Sequence, residues 1–218
     1  MNAPDERALK EDPPTVFVVD DDSSLRRALA RLIHSAGWTV DTYASARDFL
    51  ERADSAGTGC VVMDVQMPGM TGPELHAQMS ARGILLPVVY LTAYGDLHTG
   101  VEAMKNGAVD FLVKPVDDDT LLSTVRHGIE RHAVELAQRR QRERIETRVA
   151  RLSPREREVM TLVISGYLNK QIADRMGISL KTVKVHRARV MEKVEVKSVA
   201  ALVHLCETAG LASAMQDA

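Results

Sequence analysis

Residues 15–113 alternate between two hydrophobic periods, and this alternation limits the fold more than any other feature of the chain. Short apolar, β-branched runs are typical of strands buried on both faces, and the segments between them carry apolar residues at helical spacing. The predicted strands are TVFVVD (15–20), WTVDTYA (38–44), CVVMD (60–64), PVVYLTA (87–93) and AVDFLV (108–113). The predicted helices are LRRALARLIHSAG (25–37), SARDFLERA (45–53), GPELHAQMSARG (72–83), LHTGVEAMKNG (97–107) and one that opens at VDDDT (116–120). Ser23–Ser24 are expected to cap the first helix. Such alternation predicts an α/β fold, a five-stranded parallel sheet with helices on both faces.

Polar side chains gather where these strands end. Asp20 and Asp21 close the first strand, Asp64 closes the third, Thr92 lies at the end of the fourth and Lys114 follows the fifth. In an open parallel sheet the carboxyl ends of the strands meet at one edge, and ligands bind there. Clustered carboxylates need a neutralising cation, and oxygen-only ligands suit Mg²⁺. Each residue alone also fits a charged helix start, a strand end or a solvated lysine, but several coincident strand ends favour a site.

Charge is distributed unevenly along the chain. Residues 1–125 hold 19 acids and 10 bases, and residues 126–218 hold 11 acids and 18 bases. An acidic front and a basic back predict two domains with different partners.

The composition also bears on the cellular compartment. Cys60 and Cys206 are far apart in apolar segments, and we expect both to be reduced core residues. No apolar run approaches the ~18 residues of a membrane helix, and the N-terminal residues lack an apolar signal core. We therefore expect a cytoplasmic protein with no membrane partner.

The middle segment, residues 126–151, is rich in helix formers, contains no Pro and has Gly128 as its only Gly. Ile129, Leu136, Ile145 and Val149 form a broken apolar stripe. Two interpretations stay open. One is a long charged helix that continues from the first domain and forms a weak coiled coil in a dimer. The other is a solvated, partly ordered linker.

The sequence from residue 152 onward predicts four short helices. Ser153 is placed to cap the first, with Pro154 at its first position and Glu156 closing a capping box. Asn169 is expected to cap NKQIADRMG, and Ser179 to cap LKTVKVHRARVMEKV. A tight Gly turn between the second and third helices makes this a small all-α domain with a helix-turn-helix outline.

The third of these helices has two unlike faces. Val183, Val190 and Val194 fall on one side, which we expect to be core. Lysines and small apolar side chains on the other side suit the DNA major groove, and flanking arginines suit phosphates, although a solvated basic face is the simpler alternative. The predicted DNA-binding residues are Lys181, Thr182, Lys184, Val185, Arg187, Ala188 and Arg189.

The motifs VVDDD, MDVQMPGMTG, LTAYGD and AVDFLVKP together resemble the receiver domain of two-component response regulators. LSPREREV, NKQIA and KTVKVH resemble the LuxR-type DNA-binding domain. The combination is similar to the FixJ/NarL class. The predicted domains are a disordered tail (1–13), a receiver (14–126), a helical linker (127–151), a LuxR-type helix-turn-helix domain (152–212) and a second tail (213–218).

The resemblance implies a role for each residue of the strand-end cluster. It makes Asp64 the phosphoacceptor. It also implies that Asp20, Asp21, Asp64 and the backbone carbonyl of Gln66 hold Mg²⁺.

Three further residues take roles from the same resemblance. Thr92 and Lys114 are expected to contact the phosphoryl oxygens, and Phe111 stands where the family places a switching aromatic. The resemblance also implies a cis bond between Lys114 and Pro115.

The expected function is that of a phosphorylation-activated transcription regulator. A sensor histidine kinase phosphorylates Asp64, the receiver forms a homodimer, and the back domain binds promoter double-stranded DNA, with RNA polymerase as a further candidate partner. Self-phosphorylation from a phosphodonor and slow autodephosphorylation are the only expected reactions. Two alternatives are an interaction-only adaptor and a phosphatase with an aspartyl-phosphate intermediate. The phosphatase would need a second acid two residues after Asp64, where this chain has Gln66.

Overall fold

The computed structural model describes residues 13–93 and 108–211. The chain divides into two compact units, residues 1–136 and 137–218. The predicted helix over 97–107 lies outside the described residues, and so do the two predicted tails apart from Pro13.

Five parallel strands form one sheet in the described part of the first unit, as predicted. They are β1 (Thr15–Val19), β2 (Thr39–Tyr43), β3 (Gly59–Asp64), β4 (Val88–Thr92) and β5 (Asp110–Val113). Their order is β2-β1-β3-β4-β5, so β3 lies at the centre. The register pairs Asp64 with Leu91 and Thr92 with Val113, which brings the ends of β3, β4 and β5 to one edge.

The sheet is buried on both faces. Side chains alternate along β3, so Met63 joins one apolar cluster and Val62 joins the other. Phe17 and Tyr90 belong to the same cluster as Met63, while Leu91 packs with Val62. Burial on both faces explains why the strands read as continuous apolar runs in the sequence.

Three helices follow the first three strands: α1 (Ser23–Ser35), α2 (Ala46–Arg52) and α3 (Gly72–Ala81). The expectation that Ser23–Ser24 cap α1 is wrong. Asp22 is the N-cap, and its carboxylate accepts hydrogen bonds from the backbone N–H of Ser24 (2.7 Å) and of Leu25 (3.3 Å). An ionised carboxylate is favoured at this position because the helix dipole is positive there.

One helix, α4, runs from Asp118 to Ala150. Residues 126–150 are therefore helical, which favours the first of the two interpretations of this segment. Val125 and Ile129 pack in the core of the first unit, whereas Ile145 and Val149 pack in the core of the second. Burial within the two units thus accounts for Ile129, Ile145 and Val149 of the predicted stripe, while Leu136 is half-buried and a coiled coil in a dimer stays a prediction.

The second unit contains four further helices: α5 (Pro154–Ile164), α6 (Asn169–Met176), α7 (Leu180–Val194) and α8 (Val199–Thr208). Ser153 caps α5 in a capping box with Glu156, and Ser179 caps α7, both as predicted. Val183 and Val190 are buried among the helices, also as predicted.

Asn169 does not cap α6, contrary to expectation. It is the first helical residue, and the preceding Leu168 donates its backbone N–H to Oε1 of Gln171 at 2.8 Å. The side-chain oxygen of Asn169 instead accepts a hydrogen bond from the guanidinium of Arg187 on α7. A contact between two helices has replaced the local cap that the sequence suggests.

The structure also bears on the two cysteines and on the expectation of no membrane helix. Cys60 and Cys206 are both free and buried, as predicted. Among the described residues no helix is long and apolar enough to cross a membrane.

Candidate functional site

Three carboxylates meet at the carboxyl edge of the sheet. Asp20 and Asp21 follow β1 and Asp64 ends β3, and one oxygen from each lies within 4.8 Å of the others. Asp20 is buried, Asp64 is half-buried and Asp21 is exposed. The structure thus brings together the acids that the sequence placed at separate strand ends.

Lys114 joins two of these carboxylates. Its Nζ lies 2.8 Å from Oδ2 of Asp20 and 3.2 Å from Oδ1 of Asp64. Its backbone N–H donates to the carbonyl of Thr92 at 2.7 Å, which fixes the start of the segment after β5. The Lys114–Pro115 peptide is cis, as the resemblance implies.

Asp20 is held by groups that the sequence analysis did not assign to the site. The backbone N–H of Asp22 donates to Oδ1 of Asp20 at 2.8 Å, and Nη1 of Arg26 donates to its carbonyl at 2.6 Å. Arg26 lies six residues along the chain, within α1, so its contact depends on how the helix follows β1. These bonds orient a buried carboxylate toward Lys114 and Asp64.

The pKa values of Asp64 and Lys114 reflect this crowding. Burial raises the pKa of Asp64, Lys114 acts against that rise, and the charge of Asp20 adds to it. Burial acts to lower the pKa of Lys114, but its contacts with Asp20 and Asp64 outweigh that effect and raise it. Asp64 is therefore a carboxylate in a partly desolvated site with a cation beside it.

Gly72 allows the chain to pass close to the phosphoacceptor position. A Cβ at residue 72 would lie 2.5 Å from the carbonyl oxygen of Asp64 and 3.1 Å from the ring of Tyr90. Its backbone N–H donates to the carbonyl of Val65 at 2.9 Å. Only Gly fits this approach, so Gly72 shapes the loop that follows Asp64, a role that the sequence motif did not reveal.

Thr92 and Phe111 lie on neighbouring strands beside the cluster. Thr92 is buried, and its hydroxyl donates to the carbonyl of Ala93 at 3.0 Å. Phe111 is half-buried, with its ring centroid 6.4 Å from that of Tyr90. The hydroxyl of Tyr90 is itself 3.0 Å from Nδ1 of His76 on α3. Phe111 is therefore a half-buried aromatic residue in contact with Tyr90.

The carboxylate cluster has the chemistry of a site for a hard divalent cation. All three side-chain donors are oxygens, and the three carboxylates outnumber the two cations beside them, Lys114 and Arg26. Such a donor set suits Mg²⁺, which prefers one or two carboxylates with carbonyls and waters.

The second unit presents the exposed face of α7. Lys181, Lys184, Val185, Ala188 and Arg189 are all exposed, opposite the buried valines of the same helix. Val185 is 43% exposed on this face. The face combines cations with small apolar groups.

Two other predicted DNA-binding residues are less accessible. Thr182 is half-buried, and its hydroxyl lies 2.8 Å from that of Ser179 at the start of α7. Arg187 is half-buried and bonded to Asn169 of α6. Arg187 therefore joins the two helices of the turn, a contact that helical spacing alone did not indicate.

Comparison with known families supports both units. The family model of the response regulator receiver domain matches residues 16–126, and that of the luxR family of bacterial regulatory proteins matches residues 150–206. The chain is 43% identical to the transcriptional regulatory protein FixJ of Azorhizobium caulinodans, over 91% of this chain and 94% of that protein. It is 41% identical to the C4-dicarboxylate transport transcriptional regulatory protein DctR of Rhodobacter capsulatus, over 88% and 98%.

Solved structures show the same relationship. The response regulator StyR is 44% identical, with a TM-score of 0.84 over 90% of this chain and 99% of that one. Full-length FixJ from B. japonicum is 41% identical, with a TM-score of 0.56 over 91% and 98%. The chain therefore belongs to the two-component response regulators that join a receiver domain to a LuxR-type helix-turn-helix domain, a family of phosphorylation-dependent transcription regulators.

Proposed function

We propose that this protein is activated by transfer of a phosphoryl group from a sensor histidine kinase to Asp64, and that the activated protein binds promoter DNA as a homodimer in the cytoplasm. The observation that carries this proposal is the position of Asp64. It ends the central strand, half-buried, with the ammonium of Lys114 at 3.2 Å and two further carboxylates within 4.8 Å.

Mg²⁺ is the cofactor that this donor set fits. Asp20, Asp21 and Asp64 would hold it through their carboxylates, and Gln66 through its backbone carbonyl. The bound cation supplies positive charge beside the phosphoryl oxygens, where catalysis of phosphoryl transfer chiefly operates.

The residues of the chain carry out the transfer itself. A carboxylate oxygen of Asp64 attacks phosphorus and forms the O–P bond of an acyl phosphate. The P–N bond of the kinase phosphohistidine breaks, and its electron pair stays with the imidazole. With a small donor such as acetyl phosphate, a P–O bond breaks instead. Lys114 offsets negative charge on the transferring group, and the hydroxyl of Thr92 donates to one of its oxygens.

The product changes the charge of the site. An acyl phosphate carries about −1.5 to −2 where the carboxylate carried −1. The hydroxyl of Thr92 moves toward the new oxygens, and Phe111 rotates into the space behind it. This rearrangement favours the homodimer by changing the surface around β5.

The second unit reads DNA through α7. Lys184, Val185 and Ala188 contact base edges in the major groove, and Lys181, Arg189 and Thr182 contact the backbone beside them. Nη1 of Arg187 is bonded to Asn169 of α6, and the other N–H groups of its guanidinium contact the phosphates. A homodimer of such units suits two half-sites roughly 10 bp apart. RNA polymerase is a further partner of the DNA-bound dimer.

The proposal is tested by comparing wild type with Asp64→Asn after incubation with acetyl phosphate and Mg²⁺. Mass spectrometry reports the phosphorylated fraction and light scattering reports the dimer. We expect phosphorylation and dimerisation in wild type and neither in the variant. Asp41→Asn is the control, because it makes the same change at an exposed position on β2. Equal dimerisation of wild type and Asp64→Asn would refute the switch.

The same samples discriminate against the two alternatives. An interaction-only adaptor would bind DNA in neither state, whereas a DNA-binding protein shows affinity that falls steeply with salt. A phosphatase would release phosphate from a substrate over many turnovers. We expect salt-dependent DNA affinity, and phosphate release no faster than the slow autodephosphorylation of Asp64.

A further inference from the structure

A buried histidine joins the linker helix to the central strand of the receiver. The backbone N–H of Gly59, the first residue of β3, donates to Nδ1 of His132 on α4 at 3.1 Å. Gly59 is buried, and His132 is only 6% exposed. The bond connects residues 73 positions apart, and neither the phosphorylation site nor the DNA-binding face uses it.

The surroundings of Gly59 leave little room for any other partner. A Cβ at residue 59 would lie 2.3 Å from the carbonyl oxygen of Thr15, so the strand backbones are packed as closely as Gly permits. On α4, a Cβ at Gly128 would lie 3.1 Å from Sγ of Cys60, so the helix also lies tightly on β3. A buried N–H needs an acceptor, and here the imidazole supplies it.

The direction of the bond sets the protonation state of His132. A backbone N–H can only donate, so Nδ1 must carry a lone pair and the imidazole is neutral with its proton on Nε2. The Gly59 N–H therefore requires of position 132 an acceptor atom at this distance from the helix backbone. Asn provides such an atom at the same place, and Phe provides the ring without it.

His132 is also the point at which α4 leaves the receiver core. Ile129 is the last apolar residue of α4 in that core, and His132 is the next buried residue, one turn later. From residue 133 to residue 144 every side chain of α4 is exposed except the half-buried Leu136. The hydrogen bond to Gly59 is thus made by the last buried residue of the helix before its solvent-exposed stretch.

We propose that His132 is a positioning residue that fixes the exit of α4 on the strand that ends in Asp64, so that phosphorylation acts on the DNA-binding unit through a helix held at a defined point. This inference rests on the proposed function. Without the acceptor, the Gly59 N–H can be satisfied only by water, which requires the turn around residue 132 to separate from β3. The helix then leaves the receiver over a range of angles.

The test compares the gain in DNA affinity that acetyl phosphate and Mg²⁺ produce in full-length variants. We expect His132→Phe to reduce that gain roughly tenfold, the factor that corresponds to one hydrogen bond between buried groups. His132→Asn should retain the gain. His127→Phe is the matched control, since it makes the same change at an exposed position on the same helix. The phosphorylated fraction at Asp64 should be equal in all of them.

Hydrogen exchange supplies a second readout. The amide of Gly59 should exchange roughly tenfold faster in His132→Phe than in wild type and His132→Asn. Equal affinity gains in wild type and His132→Phe would overturn the inference and leave the proposed function intact. No gain in wild type would overturn both. If His132→Phe does not fold, unprotected exchange of the Gly59 amide in wild type overturns the inference, and protection in wild type and His132→Asn supports it.

Discussion

Replacing Gly72 by Ala should strain the loop that carries the phosphoacceptor. The new Cβ would lie 2.5 Å from the carbonyl oxygen of Asp64, a backbone atom that cannot rotate away, and 3.1 Å from the buried ring of Tyr90. Overpacking of this kind costs about 1–3 kcal/mol. Ala also lowers the conformational entropy of the unfolded chain, which stabilises the folded state by about 0.4–1 kcal/mol. The net destabilisation of the receiver should therefore be about 1–2 kcal/mol.

Urea unfolding followed by Trp fluorescence measures the free energy of unfolding of the first unit, which contains the receiver. Trp38 is the only Trp of the chain and lies in the first unit, so its emission reports the receiver. With a slope of about 2 kcal/mol per molar urea, the midpoint should fall by about 0.5–1 M. Phosphorylation of Asp64 by acetyl phosphate should also be slower, because the strain falls on the residue that attacks.

Gly57→Ala provides the matched control for this experiment. Its Cβ would meet no atom within 4 Å, and its backbone is not left-handed, so the midpoint should stay the same or rise slightly. A Gly72→Ala protein with an unchanged or higher midpoint would contradict the packing argument. An unchanged phosphorylation rate despite a lowered midpoint would show that the loop can relax without moving Asp64.

Three further changes test other parts of the account. The pKa of Glu156 is lowered to about 2 by its hydrogen bond to Lys193 and by the backbone N–H of Ser153. Ionised Glu156 therefore stabilises the folded second unit fully above about pH 4.5, and this contribution is lost as the pH falls to about 2. Glu156→Gln should therefore lower the stability of residues 154–208, measured by hydrogen exchange, by about 1–2 kcal/mol at pH 6 and by much less near pH 2.5; a difference independent of pH would contradict this. Asp22→Ala should lower the urea midpoint of the receiver through loss of the α1 cap, and an unchanged midpoint would argue against that cap. Lys184→Ala should weaken DNA binding. The salt dependence should become shallower if Lys184 contacts a phosphate, and the base preference at one position should relax if Lys184 contacts a base. An unaltered affinity would show that Lys184 is not part of the DNA interface.

The sequence was sufficient to predict where the site would form. Parallel strands align their carboxyl ends, so the end of each apolar run already located Asp20, Asp64 and Thr92 at one edge. Lys114 could be added because it follows the last strand directly. None of these inferences required the distances, only the direction of the strands.

The supporting contacts could not be predicted because they depend on three-dimensional approach. Arg26 reaches Asp20 only once α1 is placed after β1, and Gly72 is required only because the backbone returns beside Asp64. Local rules also competed with tertiary contacts. Asn169 is a good N-cap by type, but its side chain is bonded to Arg187, and the side chain of Gln171 accepts the bond from the Leu168 N–H instead.

His132 illustrates a functional inference that sequence patterns did not contain. It lies in a charged helical segment where a histidine is unremarkable, and its partner is the backbone of a residue 73 positions earlier. Backbone partners leave no pattern of side-chain types. Only the packed structure reveals that this histidine is buried and serves as an acceptor.

The proposed function depends on control of DNA binding by phosphorylation of Asp64. The most direct measurement is selection of host genomic fragments by the purified full-length protein, with and without acetyl phosphate and Mg²⁺, in parallel with Asp64→Asn. We expect wild type to enrich a shared repeat mainly with the phosphodonor, and the variant to enrich no repeat beyond its level without donor. Equal enrichment by the two proteins under donor, or no enrichment by wild type in either state, would contradict it.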